Sequence, residues 1–165
     1  GSNVAWYKQL KAAGITSKKY NLLTISTTED ELLGIGGENA EGFYACMKYF
    51  QSQKNPNNQA FVKAFKEMWG ADSVIGDVTQ AAYLGPWIWK AAVEKAGSFD
   101  IDKIHAAHPN IELPDAPEGY VRVHETNQHL YSRAKIGKIT KDGQFEVMAV
   151  SEDLIEPDPF PKGYQ

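Results

Sequence analysis

The fold is predicted from one stretch near the start of the chain, which reads Tyr20-Asn21-Leu22-Leu23-Thr24-Ile25-Ser26-Thr27-Thr28-Glu29-Asp30-Glu31. Its apolar first half, from Tyr20 to Ser26, predicts a strand. Thr28-Glu29-Asp30-Glu31 has the spacing of a capping box, so Thr28 is expected to begin a helix. A helical pattern that ends at Gly14 precedes the strand. The order helix, strand, helix is that of an α/β unit, whose loops after the strands commonly hold ligands.

The middle of the chain predicts further helices. Pro56 opens a helical pattern that Gly70 ends, and a second pattern over residues 78–97 contains Pro86. A proline at that position removes one backbone hydrogen bond, so we expect a kink there. A third, short helix is expected over residues 100–108. The tryptophans at helical positions are expected mostly in the core, and they are Trp6, Trp69, Trp87 and Trp89.

The last third of the chain changes to an alternating pattern typical of strands. Residues 120–124, 134–139 and 145–150 read in this way. Asp142-Gly143 is a strong turn signal between the last two runs. The sequence therefore predicts a terminal β-hairpin, followed by a proline-punctuated tail.

The composition is that of an ordinary folded domain. The 165 residues are 42% hydrophobic and 23% charged, which excludes a disordered chain. Seventeen Lys and Arg against 21 Asp and Glu give a net charge of −4, which argues against a nucleic-acid partner. No uninterrupted apolar run approaches the length of about 18 residues that a membrane-spanning helix needs.

No pattern of catalytic or metal-binding residues stands out. His105 and His108 have no carboxylate between them and no third ligand at a recognisable spacing, so a metal site is not expected. Cys46 lies in an apolar run and is interpreted as a structural thiol. We therefore predict neither an enzyme nor a bound cofactor.

The turn after the first predicted strand has the polarity of a binding loop. Ser26, Thr27 and Thr28 bring small hydroxyl side chains and free backbone donors beside a helix N-terminus. Such a loop suits a neutral polar ligand or one that carries a carboxylate. The same residues also fit an ordinary strand–helix turn, so composition leaves both interpretations open.

Segments in order along nearly the whole chain carry a family resemblance. The most specific are Ala116-Pro117-Glu118-Gly119, Asn127-Gln128-His129-Leu130-Tyr131, Ile136-Gly137-Lys138-Ile139 and Asp142-Gly143-Gln144-Phe145. Earlier matching segments are residues 2–10, 28–32, 37–42, 81–85 and 89–97. Together they resemble the substrate-binding proteins of urea and short-chain amide ABC transporters, which are type I periplasmic binding proteins.

The resemblance implies two three-layer α/β lobes with the ligand between them, in a chain more than twice this long. This sequence is therefore expected to be the C-terminal fragment of such a fold, with the β-hairpin at its end. Residues 1–42 are then part of the second, C-terminal lobe, and residues 43–119, with the two long helices, are part of the first. Residues 120–165 are expected to return to the second lobe with the hairpin and the tail.

The resemblance also implies a set of ligand contacts. They are Ser2, Ser26 and Thr27 in the second lobe and Asp77, Val78 and Tyr83 in the first. Ser2 counts only if it is native, because Gly1-Ser2 can also be a remnant of cloning. Pro86 departs from the residue usual in the family, which bears on the placement of Tyr83.

The function that the resemblance implies is that of the extracytoplasmic solute-binding component of an ABC importer. It would be periplasmic or extracellular, bind urea or a small amide between its lobes, and deliver this ligand to a membrane permease. A cytoplasmic amide-sensing regulator of the same fold is the alternative. An amide-metabolising enzyme is a third hypothesis, for which no nucleophile or metal site is visible. A fragment of two lobes leaves sheet edges exposed, so we expect self-association through those edges.

Overall fold

The computed structural model describes residues 2–163, in which most of the helices precede most of the strands. The helices of this region are α1 (Asn3–Ala12), α2 (Glu29–Ile35), α3 (Gly37–Ala40), α4 (Pro56–Trp69), α5 (Asp77–Ala96) and α6 (Ile101–Ala107). Its strands are β1 (Leu23–Thr24), β2 (Tyr44–Met47), β3 (Glu112–Leu113), β4 (Val121–Val123), β5 (Leu130–Tyr131), β6 (Lys135–Ile139) and β7 (Phe145–Val150).

The strands pair into two sheets. The first has the order β1-β2-β6-β7, in which β1 and β2 are parallel and the other neighbours are antiparallel. The second is antiparallel throughout and has the order β3-β4-β5. The predicted α/β class is thereby confirmed.

Local signals in the sequence explain where several elements begin and end. The side chain of Asn55 accepts the N–H of Asn58 at 2.8 Å and so caps α4, which has Pro56 in its first turn. The terminal hairpin is also confirmed, since β6 and β7 pair across a turn in which Gly143 has a φ of +77°. Helix α5 stays one helix although Pro86 lies inside it.

The larger core lies between the first sheet and the helices α1 and α2. Its buried members are Tyr7, Leu32, Ile35, Ala40, Phe43, Ala45, Phe50, Ile139 and Phe145. Each of the larger side chains contributes about 1.5–3 kcal/mol by leaving water. A smaller core packs α5 against the second sheet, with Leu84, Ala92, Ile111, Val121 and Val123 buried.

The strand pairing shows where two segments near the expected lobe boundaries lie. The segment 44–47, expected to cross into the first lobe, forms β2 and pairs with both β1 and β6. Ala45 of this strand is fully buried. Strands β4 and β5, within the part expected to return to the second lobe, form one sheet with β3, in which β4 is the central strand. The chain therefore leaves the first sheet through residues 48–53, which we call the crossing segment; the division into lobes stays a prediction.

The expectation that the tryptophans lie in the core is wrong. Trp6 is 40% exposed, Trp69 67%, Trp87 46% and Trp89 51%. Helical spacing does place three of them on α4 and α5. The faces that carry them have little of the described chain packed over them, so the aromatic surface stays open to solvent.

Candidate functional site

The turn after β1 forms a compact polar loop, residues 24–28, which we call the ligand loop. The N–H of Ser26 donates to Oγ1 of Thr24 at 3.2 Å, so the side chain of Thr24 closes the turn. Thr27 is buried and shares a hydrogen bond of 3.0 Å with the hydroxyl of Tyr7. Ser26 is exposed, whereas Thr27 and Thr28 of the same loop are buried.

The ligand loop and the start of α2 lie against the start of α5. A Cβ built on Gly76, the residue that precedes α5, would lie 1.9 Å from Oδ1 of Asp30 and 3.0 Å from Cβ of Thr28. A larger residue at position 76 would require Asp30 and Thr28 to shift. The ligand loop follows β1 of the first sheet, whereas α5 packs against the second sheet, so two parts of the fold meet here.

The start of α1 reaches the same place. The side chain of Asn3 donates to Oε2 of Glu31 at 2.6 Å and approaches the carbonyl of Ser26 at 3.5 Å. Ser2 is exposed and directly precedes Asn3. The structure therefore places the start of α1 beside the ligand loop, and the ligand loop beside the start of α5. We call these three parts, with Ser2, the candidate site.

The predicted contact residues differ in solvent exposure and in the contacts they already make within the chain. Val78 is 72% exposed, and Ser2 and Ser26 are exposed as well. Asp77 already accepts the N–H of Tyr49 at 2.9 Å and pairs with Nζ of Lys48 at 3.4 Å. Thr27 and Asp77 are therefore engaged in contacts within the chain, whereas Ser2, Ser26 and Val78 are open to solvent.

Tyr83 lies apart from the other predicted contacts. It follows Asp77 by six residues on α5, a rise of about 9 Å along the helix. Its ring packs on that of Phe61, with centroids 4.4 Å apart, and it borders a groove of about 540 Å³ between α4 and α5. The apolar wall of this groove includes Phe65, Met68 and Trp69.

A buried charged cluster beside the crossing segment was missed by the sequence analysis. Nζ of Lys48 donates to Oε1 of Gln80 at 3.0 Å and lies 3.9 Å from Glu118, whose two oxygens have no hydrogen-bond partner in the described structure. Lys135 is buried, and its ammonium donates to the carbonyls of Lys48 and Glu118. Burial lowers the pKa of Lys135 to about 8, against the opposing charge of Glu118. No local motif marks this cluster, because its members come from four distant segments.

Glu29 is a further buried residue that no local motif marks. Its sequence position favours an exposed acidic residue in the first turn of a helix, but it is only 1% exposed. Its Oε1 accepts the N–H of Gln51 at 2.7 Å, which links α2 to the crossing segment. Burial, with Asp30 and Asp77 adding to it, raises the pKa of Glu29 to about 7 against the lowering effect of that hydrogen bond.

Two further findings concern the described residues, 2–163. None of their helices combines the length and apolar character needed to cross a bilayer. Their His, Cys, Asp and Glu side chains form no group of three or more arranged to hold a metal ion. His105 instead contacts the amide nitrogen of Gln128 at 2.5 Å.

The two sheets, their order and the loop at the end of β1 together define part of a type I periplasmic-binding-protein fold. The chain belongs to the periplasmic binding protein domain family, whose model matches residues 1–165. A curated relative, named limonene hydroxylase, from Geobacillus stearothermophilus is 35% identical over 125 residues. That match spans 76% of this chain and 23% of the relative.

Solved structures show the same fold. A solute binding protein of an ABC transporter from Rhodopseudomonas palustris BisB5, in complex with 3,4-dihydroxybenzoic acid, matches with a TM-score of 0.82 and 21% identity over 95% of this chain and 44% of that one. An amino acid ABC transporter substrate-binding protein from Pseudomonas fluorescens Pf-5 matches with a TM-score of 0.79 and 22% identity, over 96% of this chain and 43% of that one. The chain therefore spans less than half the length of these structures, and about a quarter of the curated relative.

Proposed function

We propose that this chain is the C-terminal part of the extracytoplasmic solute-binding component of an ABC importer. The observation that carries the proposal is the meeting of the ligand loop with the start of α5, where Thr28 and Asp30 pack against Gly76. In a two-lobed binder, a ligand that contacts both sides of such a cleft favours the closed arrangement and shifts the open–closed equilibrium. Binding and release are then the whole activity, and the chain works as a receptor and not as an enzyme.

The open aromatic surface supports the proposal that the chain is part of a longer protein. No apolar side chain of α4 is buried, although its sequence has a clear apolar face. Phe65, Met68 and Trp69 border the groove between α4 and α5. A contiguous apolar surface of this kind normally has a covering element. The remainder of the first lobe would supply that element, in line with the 44% coverage of the solved structure from R. palustris.

The charges around the candidate site support a small neutral ligand, urea or a short-chain amide. Asp30 and Asp77 stand on its two sides, and Lys48 is already paired with Asp77. A carboxylate ligand would have to approach these acidic groups. An amide can instead accept a hydrogen bond from the hydroxyl of Ser26 and donate to nearby oxygens.

The location and partner follow from the proposed class. A solute-binding component works outside the cytoplasmic membrane, in the periplasm or on the cell surface, and docks on the permease of its transporter. The net charge of −4 argues against a nucleic-acid partner.

A thermal-shift panel on the full-length protein tests this function. The solutes are urea, acetamide, leucine, 3,4-dihydroxybenzoate and limonene. A ligand at a hundred times its Kd stabilises the folded state by about 2.7 kcal/mol, which raises Tm by several degrees. We expect the shift with urea or acetamide. A shift with the aromatic acid, leucine or limonene alone would contradict the ligand, and no shift with any solute would contradict the receptor function.

A further inference from the structure

Glu29 is a buried acid that the candidate site itself does not use. It is the first residue of α2 and directly follows the ligand loop. One carboxyl oxygen accepts the N–H of Gln51 at 2.7 Å, and the other, Oε2, is buried and has no hydrogen-bond partner in the described structure. A carboxylate oxygen in this state is costly unless the group takes up a proton or regains water.

Gln51 joins Glu29 to the other side of the candidate site. Its side-chain oxygen accepts the N–H of Ile75 at 2.7 Å, and Ile75 lies two residues before the start of α5. Its side-chain nitrogen donates to Gln144 at 3.2 Å, and its carbonyl accepts from Asn58 at 2.9 Å. The start of α2, directly after the ligand loop, is thus connected through the crossing segment to the residues before α5, by two short hydrogen bonds that meet at Gln51.

The groups that face Glu29 are acidic or phenolic. They are Asp30 on its own helix, Asp77 at the start of α5 and Tyr49 of the crossing segment. Lys48 is near enough to pair with Asp77, at 3.4 Å, and so offsets part of that negative charge. The surroundings therefore disfavour an ionised Glu29 for as long as the packing around it is closed.

We propose that Glu29 is a positioning residue that links proton uptake to the packing of the ligand loop on the crossing segment, so that ligand affinity falls as pH rises. The inference rests on the proposed function, because it regulates the same site. When the packing opens, water reaches the carboxyl and its pKa returns toward the ordinary 4.5 from about 7. At a pH between these two pKa values, closing therefore takes up a proton. A ligand that requires the closed arrangement then binds more tightly at the lower pH of this range.

The first experiment needs no ligand. Hydrogen exchange of the Gln51 amide is measured at pH 5.5 and 7.5 in the full-length protein, and rates are corrected for the intrinsic pH dependence. We expect protection to fall at least about threefold at the higher pH, because one linked proton allows up to tenfold per pH unit. Glu29→Gln keeps the shape of the side chain and should abolish this change, whereas Glu31→Gln on the same helix turn should retain it. Equal protection at both pH values in the unsubstituted protein would overturn the inference.

The second experiment measures the Kd of acetamide by calorimetry at the same two pH values. The Kd should rise at least about threefold from pH 5.5 to 7.5, and stay constant in Glu29→Gln. A Kd that rises equally in Glu29→Gln would overturn the inference, since another group would then carry the proton. Absence of acetamide binding together with pH-dependent Gln51 protection would contradict the proposed ligand and support the role of Glu29 in the packing against the crossing segment.

Discussion

The hydrogen bond between Thr27 and Tyr7 offers the sharpest test of how the ligand loop is held. Both residues are buried, at 1% and 0% exposure, and their hydroxyl oxygens are 3.0 Å apart. Thr27→Val keeps the shape of the side chain but leaves the Tyr7 hydroxyl without this partner. Leaving a buried hydroxyl unpaired costs about 1–3 kcal/mol, so we predict that the free energy of unfolding falls by about 1–2 kcal/mol.

Guanidinium denaturation of a double-mutant cycle measures this effect. Tyr7→Phe with Thr27→Val removes both hydroxyls, and the loss should be smaller than the sum of the two single losses. Ser26→Ala is the matched surface control, since its exposed hydroxyl has only a long contact of 3.4 Å with Thr24. It should change stability by less than about 0.5 kcal/mol. A Thr27→Val loss below that value, or strictly additive losses in the cycle, would refute the reasoning.

Three further perturbations test other parts of the structure. The free energy of unfolding should fall by up to about 3 kcal/mol between pH 4.5 and 7, because the raised pKa of Glu29 makes the folded state bind its proton more tightly. Glu29→Gln should remove this component, and the same dependence of unfolding free energy on pH in Glu29→Gln would contradict the assignment. Gly137→Ala should lower the free energy of unfolding in chemical denaturation by about 1–3 kcal/mol, since the new Cβ would lie 2.7 Å from the buried ring of Phe50. An unchanged free energy of unfolding would mean that the ring can move. The 165-residue chain should self-associate, as measured by light scattering, and the double variant Trp69→Gln/Trp87→Gln should self-associate less. A compact monomer would argue against an open apolar face.

The elements that were predicted well have local causes. The Asn55 cap, the proline in the first turn of α4 and the Asp142-Gly143 turn each act within a few residues, so they can be recognised without knowing the fold. The strand expected over residues 20–26 is only two residues long in the structure. It lies at the edge of its sheet, where Ile25 has no covering layer and is 79% exposed.

The candidate site was predictable only in part, because only some of its features have local causes in the sequence. The hydroxyl residues of the ligand loop are visible as a polar run after an apolar one. The burial of Glu29 depends on a contact with Gln51, which is 22 residues away in the sequence. The burial of Lys135 depends on a contact with Glu118, which is 17 residues away. Such contacts arise from the sheet order, which no single-segment pattern encodes. The exposure of the tryptophans depends on what the described chain leaves uncovered, and composition contains no sign of it.

Calorimetric titration of the full-length protein with acetamide, comparing Ser26→Ala with Ser98→Ala, tests the central claim most directly. Ser98 follows the far end of α5 and is a serine outside the candidate site. The account predicts saturable binding, weakened about tenfold in Ser26→Ala by the loss of one hydrogen bond and unchanged in Ser98→Ala. Equal affinity in Ser26→Ala and the unsubstituted protein would contradict the placement of the ligand between the ligand loop and the start of α5.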